Sequence, residues 1–248
     1  MVERFRNAPI TEALIDIRAD LPPSVSLADL EKLHSQVEDN YPGKQTRTMW
    51  EGAIQPGDKR EPLKTTRHHI DGYLFKSADG KQVVQFRLDG FSFSRLHPYT
   101  EWTEVYAEAR RVWDIYRIAT KPVGVKRLAT RYINSIVIPS KKFDYDHYFT
   151  AAPKIPEGLP QLLSHFFTRL VIPFPDQGAT AIVIQTPSDK PDPARSTVIL
   201  DIDVFVEFKE VELAADDPRI DEMFAILRKV KNEIFFSCVT EPTKELFR

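Results

Sequence analysis

Polar and apolar residues alternate with a period of two across residues 9–21, where Thr11, Ala13, Ile15 and Ile17 interleave with Ile10, Glu12, Leu14, Asp16 and Arg18. That spacing predicts a strand, and Pro22-Pro23 ends it. The period then changes. Leu27, Leu30, Leu33 and Val37 recur at three and four after Ser26, a helix start with Asp29 three positions on, and Pro42-Gly43 stops the run. Strand-like runs follow over residues 45–54, 67–76 and 81–96. Ser77-Ala78-Asp79-Gly80 marks a hairpin between the last two, and Pro56-Gly57-Asp58 opens a longer polar loop. Across residues 100–120, Trp102, Val105, Ala109, Val112, Trp113 and Tyr116 return to helical spacing, which Pro122 closes. The aromatic members of that stripe are read as core and not as a stacking platform for bases.

The remainder of the chain repeats this order. Residues 123–139 read as a long strand, and a polar segment with Phe143, Tyr145, Tyr148 and Phe149 reads as a short helix. Further strands are expected over 166–173, 179–186 and 196–209. A final helix over 217–239 carries Ile220, Met223, Phe224, Leu227, Val230, Ile234 and Phe235 on its apolar stripe. The halves 1–121 and 122–248 thus each read strand–helix–strand–strand–strand–helix, with little residue identity between them. The expected fold is α+β: a tandem repeat of these units, with antiparallel sheets, helices packed on one face, and both halves in one globular unit. Consecutive strands outnumber helices, which argues against a parallel βα fold.

With 42% hydrophobic residues, the 248-residue chain has enough apolar material for a full core, which excludes global disorder. The formal charge is −2, so there is no overall basic excess, and a nucleic-acid partner is disfavoured. Arg110, Arg111, Arg117 and Lys121 form a basic strip, but Glu101, Glu104, Glu108 and Asp114 offset it. A single cysteine, Cys238, excludes an internal disulfide and a Cys-rich zinc site, and it fits a reducing cytosol. It reads as a buried, inert thiol. No apolar run is long enough for a spanning helix or a signal peptide, so a cytoplasmic protein without a membrane partner is expected.

Familiar catalytic patterns are missing. None of the nine glycines falls in a phosphate-cradling motif, and no G-x-S-x-G or H-E-x-x-H occurs. Asp144, Asp146 and His147 form the most ligand-like cluster, in a segment that reads equally well as a solvated turn. No metal, cofactor or catalytic residue is assigned.

Charge inside the strands is more informative. Arg127 and Arg131 share a strand face, as do Asp201, Asp203 and Glu207, and Glu12 with Asp16 and Arg18. Read as one strand, residues 81–96 put Arg87, Asp89 and Arg95 on a face with Phe91 and Phe93. Two readings stand. Either the strands form a half-buried sheet whose wet side is laced by cross-strand ion pairs, or Arg127, Arg131, Glu12 and Arg95 line a groove where the two repeated sheets meet. The groove would suit an anion or a partner's carboxylate. Paired, partly covered arginines would point to the first reading, and unpaired ones converging on a concavity to the second.

Three stretches look alike in order and spacing to a known family. They are F-x-x-x-P-I-x-E-A (Phe5, Pro9, Ile10, Glu12, Ala13), Phe93-Ser94 followed by P-Y-x-x-W (Pro98, Tyr99, Trp102), and R-x-x-x-R-Y-I-N-x-I (Arg127, Arg131, Tyr132, Ile133, Asn134, Ile136). Together they resemble a sporadically distributed, uncharacterised bacterial family of about this length. The resemblance implies a bacterial cytosolic protein of patchy distribution, which is typical of mobile or defence-related cargo. It carries over no activity or cofactor.

The candidate binding residues are Glu12, Arg95, Tyr99, Arg127, Arg131 and Asn134. The expected function is a non-enzymatic binding or interaction module that recognises a protein partner or a small anionic ligand on a charged sheet face. In cellular terms it would be a regulator or component of a defence or toxin–antitoxin-like system. One alternative is a hydrolase-like enzyme with a dispersed site, such as Glu12 or Asp203 opposite Arg131. Another is a scaffold that forms homo-oligomers through its terminal tail, whose Leu246-Phe247 packs on its own domain or on a second subunit.

Overall fold

The computed structural model describes residues 5–53, 65–151, 153–161, 163–190, 192–209 and 213–248. In chain order the elements are β1 (Ile10–Asp20), α1 (Leu27–Lys32), β2 (Gly43–Ala53), β3 (Thr65–Lys76), β4 (Gln82–Arg87), β5 (Gly90–Leu96) and α2 (Trp102–Thr120). They continue with β6 (Gly124–Ile138), α3 (Tyr145–Tyr148), β7 (Thr168–Phe174), β8 (Ala179–Pro187), β9 (Ser196–Glu207), α4 (Arg219–Cys238) and α5 (Glu241–Glu245). The loop that Pro56-Gly57-Asp58 opens lies outside the described residues.

All nine strands join one antiparallel sheet in the order β2-β3-β4-β5-β1-β6-β9-β8-β7. The fold is therefore α+β, but with one sheet where two were expected to meet. The reason lies in β1 and β6. They pair with each other along their length, Glu12 opposite Ile133 and Asp16 opposite Ala129, so no boundary separates the strands of the two halves.

Alternation gives this sheet two unlike faces. Cross-strand partners lie on the same face, so the register sets Ile15, Phe93, Phe86, Thr130 and Val204 on one side. Asp16, Arg87, Arg127, Arg131, Asp201 and Asp203 fall on the other. The first side is built around rings. Phe86 packs on Tyr116 of α2 at 5.5 Å and Phe91 on Trp113 at 5.9 Å. His34, just after α1, stacks on Phe75 at 4.8 Å, and Tyr106 of α2 meets Phe224 of α4 at 5.4 Å. Trp113, Tyr116, Phe86 and Phe91 are completely buried. The Tyr116 hydroxyl donates to the carbonyl of Arg87 at 2.7 Å, and the Trp113 Nε1–H to that of Ala215 at 3.1 Å, so both polar tips are satisfied in the core.

The run at residues 81–96 is two strands, because Asp89-Gly90 turns the chain. Gly90 has φ 138°, and a Cβ there would stand 2.2 Å from the carbonyl oxygen of Ile17. Only glycine accepts both demands. Gly90→Ala is expected to lower stability by about 2 kcal/mol, read as a lower urea midpoint with an unchanged m-value. The turn corrects the shared face assigned to Arg87 and Arg95. Arg87 pairs across the hairpin with Gly90 on the ionic side, while Phe91, Phe93 and Arg95 face the rings.

Short elements follow their local chemistry. Ser26 and Asp29 cap α1 reciprocally, with the Ser26 N–H donating to the Asp29 carboxylate at 3.1 Å. Asp144 accepts from the Asp146 N–H at 3.0 Å and caps α3, which gives that acidic pair a structural task. The tail docks on its own chain: Phe247 is buried against Phe5 at 5.4 Å, and the Asn7 N–H donates to the Phe247 carbonyl at 2.9 Å. Burial pushes the Cys238 thiol up to about 11. Among the described residues no helix is long and apolar enough to cross a membrane.

Candidate functional site

The ionic face is a ladder of pairs across β4, β1, β6 and β9. Arg87 donates to Asp16 at 2.8 Å and to Asp89 at 2.8 Å, and Arg127 contacts Asp16 at 3.5 Å and Asp203 at 2.8 Å. Arg131 grips Asp201 with Nε at 2.9 Å and Nη2 at 2.5 Å, a bidentate pair that holds its guanidinium above the ordinary range. The Arg127 guanidinium also lies 4.3 Å from the ring centre of Phe205. Burial pushes the Asp203 carboxyl up, and Arg127 counteracts it. With their carboxylates already in place, Arg127 and Arg131 meet the condition set for the structural reading.

The expected groove does not assemble. Glu12, Arg127 and Arg131 lie on the ionic face, whereas Arg95 is on the other, where its Nε–H donates to the Pro98 carbonyl at 3.2 Å. The register of β5 on β1 is the physical cause, since it sets Arg95 opposite Ala13 and Leu96 opposite Glu12. A broad hollow of about 590 Å³ beside Arg18, Asp89 and Lys126 offers little more. Lys126 is paired with Asp20 at 2.7 Å, Asp89 with Arg87, and Arg18 approaches Asp16 at 3.8 Å.

Tyr99 and Asn134 lie elsewhere, and together. They line a cavity of about 370 Å³ between α4, the start of β1 and the segment entering α2, within the size range of small-molecule sites. Its walls carry Phe5, Trp102, Phe235 and Phe236, and its polar groups are Tyr99, Thr100, Glu101, Asn134, Arg228, Lys231 and Asn232. Asn134, buried at the end of the β1–β6 pairing, donates through Nδ2 to the Leu200 carbonyl at 3.0 Å and the Tyr132 carbonyl at 3.4 Å. Among the described residues its Oδ1 has no hydrogen-bond donor. The Tyr99 ring meets Tyr132 edge-on at 5.7 Å, with the two hydroxyls 3.3 Å apart.

Lys231 is the anomaly on this wall. It is only 9% exposed, and its Nζ sits 3.9 Å from the ring centre of Tyr132. Among the described residues it has no carboxylate and no hydrogen-bond acceptor. Burial, reinforced by the charge of Arg228, pushes its ammonium down to about 7, and the ring face of Tyr132 favours the charged form. Arg228, one turn earlier, lies 5.5 Å from the Trp102 ring centre and forms no ion pair among the described residues. Two cationic side chains, Arg228 and Lys231, outnumber the one carboxylate, Glu101, and together with the Asn134 amide and the aromatic walls they match an anion carried on an apolar body.

Sequence reasoning placed Tyr99 and Asn134 in the candidate set and missed Arg228 and Lys231. A signal was present: Phe224, Leu227, Lys231, Ile234 and Phe235 follow helical spacing, so Lys231 interrupts the buried stripe of α4. No family model matches this chain, and no curated protein matches it.

Proposed function

We propose that the protein is a binding module that holds a small anionic ligand with an apolar body in the cavity beside Lys231. The observation that carries this reading is Lys231 itself, nine-tenths buried in the cavity wall and, among the described residues, without a carboxylate bonded to it. Buried charges are normally paired, since desolvation is costly without a counter-ion, and a ligand carboxylate or phosphate supplies what the fold omits. The ionic sheet face supports binding less well, because its arginines are already saturated.

The halves 1–121 and 122–248 fit this picture as a duplication. Apart from β2, an extra edge strand in the first half, the element orders β1–α1–β3–β4–β5–α2 and β6–α3–β7–β8–β9–α4 correspond, and the sheet runs outward from β1 as β5-β4-β3-β2 and from β6 as β9-β8-β7. The ring contacts of α2 and α4, and that of His34 after α1, support helices packed on one face. The cavity then belongs to the seam, taking Tyr99 and Trp102 from the first half and Asn134 and Lys231 from the second.

Thermal unfolding of the full chain with benzoate, phenylacetate, hexanoate and phenyl phosphate tests the reading, with benzyl alcohol as the neutral control. At least one anion is expected to raise Tm by about 5 °C or more at saturation. The alcohol should have no such effect, and Arg228→Gln should abolish the shift. Absence of any shift, or an undiminished shift in Arg228→Gln, overturns the proposal.

A further inference from the structure

The anion-binding reading leaves the Lys231 amine unexplained, since a guanidinium or an amide would hold an anion without the penalty of burying an ammonium. We infer that Lys231 forms a reversible Schiff base with an oxo acid, a carbonyl compound bearing a carboxylate that Arg228 holds. This inference rests on the anion-binding reading and deepens it by naming the ligand class and a covalent step.

The geometry supplies each requirement. A nucleophilic lysine must be deprotonated near neutrality, and desolvation beside a second cation is the known physical route to that state. Lys231 has both, burial and Arg228 together. The other titratable groups at the cavity are Tyr132 on β6 and Tyr99 and Glu101 ahead of α2, while the segment Ala8–Pro9–Ile10 contributes none. Arg228 and Lys231 are three residues apart on α4, so their side chains leave the helix as neighbours. In a 2-oxo acid the carboxylate is bonded directly to the carbonyl carbon, which suits a neutral amine standing beside one cation, Arg228.

In the addition step the Lys231 nitrogen lone pair forms a bond to the carbonyl carbon, and the carbonyl π electrons move to oxygen. A proton passes from nitrogen to that oxygen, giving a carbinolamine. Loss of the second N–H proton and departure of the hydroxyl release one water and leave the C=N bond, so no oxidant or other reactant is needed. The Oδ1 of Asn134 lines the same cavity as an acceptor for the carbinolamine hydroxyl. Trp102 and Phe236 on its walls limit the water that would hydrolyse the imine.

The test is reductive trapping on the full chain. Protein is incubated with pyruvate, glyoxylate or phenylpyruvate plus sodium cyanoborohydride, then examined by intact mass and peptide mapping, with Tm recorded for each oxo acid alone. One secondary-amine adduct per chain is expected at Lys231, forming at least tenfold faster than at any other lysine at pH 7. Its rate should rise as pH passes through about 7 and then level off, because the neutral amine fraction grows over that window. Lys231→Arg, which keeps a cation and is checked for folding by circular dichroism, should remove the adduct. Arg228→Gln should slow it about tenfold. Labelling spread over surface lysines, or persistence of the dominant adduct in Lys231→Arg, overturns the inference. A rise in Tm with the oxo acids but no adduct at Lys231 overturns the covalent step and leaves anion binding standing. Neither shift nor adduct, with the benzoate series also silent, removes both.

Discussion

Arg87→Met is expected to destabilise the protein by about 3 kcal/mol or more, among the largest losses any single side chain on the sheet would produce. Arg87 and Asp16 are 7% and 8% exposed at their side chains and 2.8 Å apart. Burial depresses the arginine's proton affinity, yet the charges of Asp16 and Asp89 outweigh it and hold the guanidinium above its usual range. Removing Arg87 leaves Asp16 only longer contacts, to Arg127 at 3.5 Å and Arg18 at 3.8 Å, in a site water hardly reaches. The asymmetry is the informative part. Asp16→Leu combined with Arg87→Met removes both charges and should recover a large part of the loss, since a buried pair exchanged for apolar groups is often close to neutral. Urea unfolding of the two single variants and the double variant completes the cycle. Equal losses that simply add would show that the pair is not coupled.

Lys231→Met should move stability the other way, by about 3 kcal/mol in favour of the variant below pH 7. The unfolded chain keeps this proton up to a pKa near 10.5, the folded chain only to about 7. Between those values the unfolded state binds more protons, so this residue makes native stability increase with pH. Below 7 the full cost of a buried ammonium is present, and the methionine variant escapes it. The gap between the two proteins should therefore be widest at pH 6 and close as pH approaches 10. Chemical denaturation across that range reads it directly. A gap that does not change with pH, or a variant less stable than the parent at pH 6, would show that the ammonium is not held in a desolvated state. Stability gained by deleting one polar side chain also marks the residue as kept for something other than folding.

Much of the fold was legible because local periodicity carries it. The alternation over residues 9–21 belongs to β1, and the three-and-four spacing from Trp102 to Tyr116 belongs to α2. Capping by Ser26 and the stop at Pro42-Gly43 were equally local. Long-range pairing was not. Nothing in the spacing of Glu12 or Ile133 says that β1 and β6 lie side by side, so a single sheet was read as two. Asp89-Gly90 gives little sign of a turn because the residues on both sides favour strands, and an unbroken strand puts Arg87 and Arg95 on one face. The site was half legible. Tyr99 and Asn134 stand out as polar members of the shared motifs, whereas Lys231 beside Arg228 and Lys229 looks in sequence like ordinary helix charge. Telling a solvated lysine from a desolvated one requires knowing which side of α4 meets Tyr132, and that follows from packing rather than from pattern.

The β1–β6 pairing has a consequence for the halves themselves. Severed between them, each would present a long, bare row of backbone donors and acceptors where the intact chain has a continuous ladder, the kind of margin that recruits other chains. Whatever their ancestry, the two halves are bound to a common cooperative fate, and each is the other's protection against aggregation.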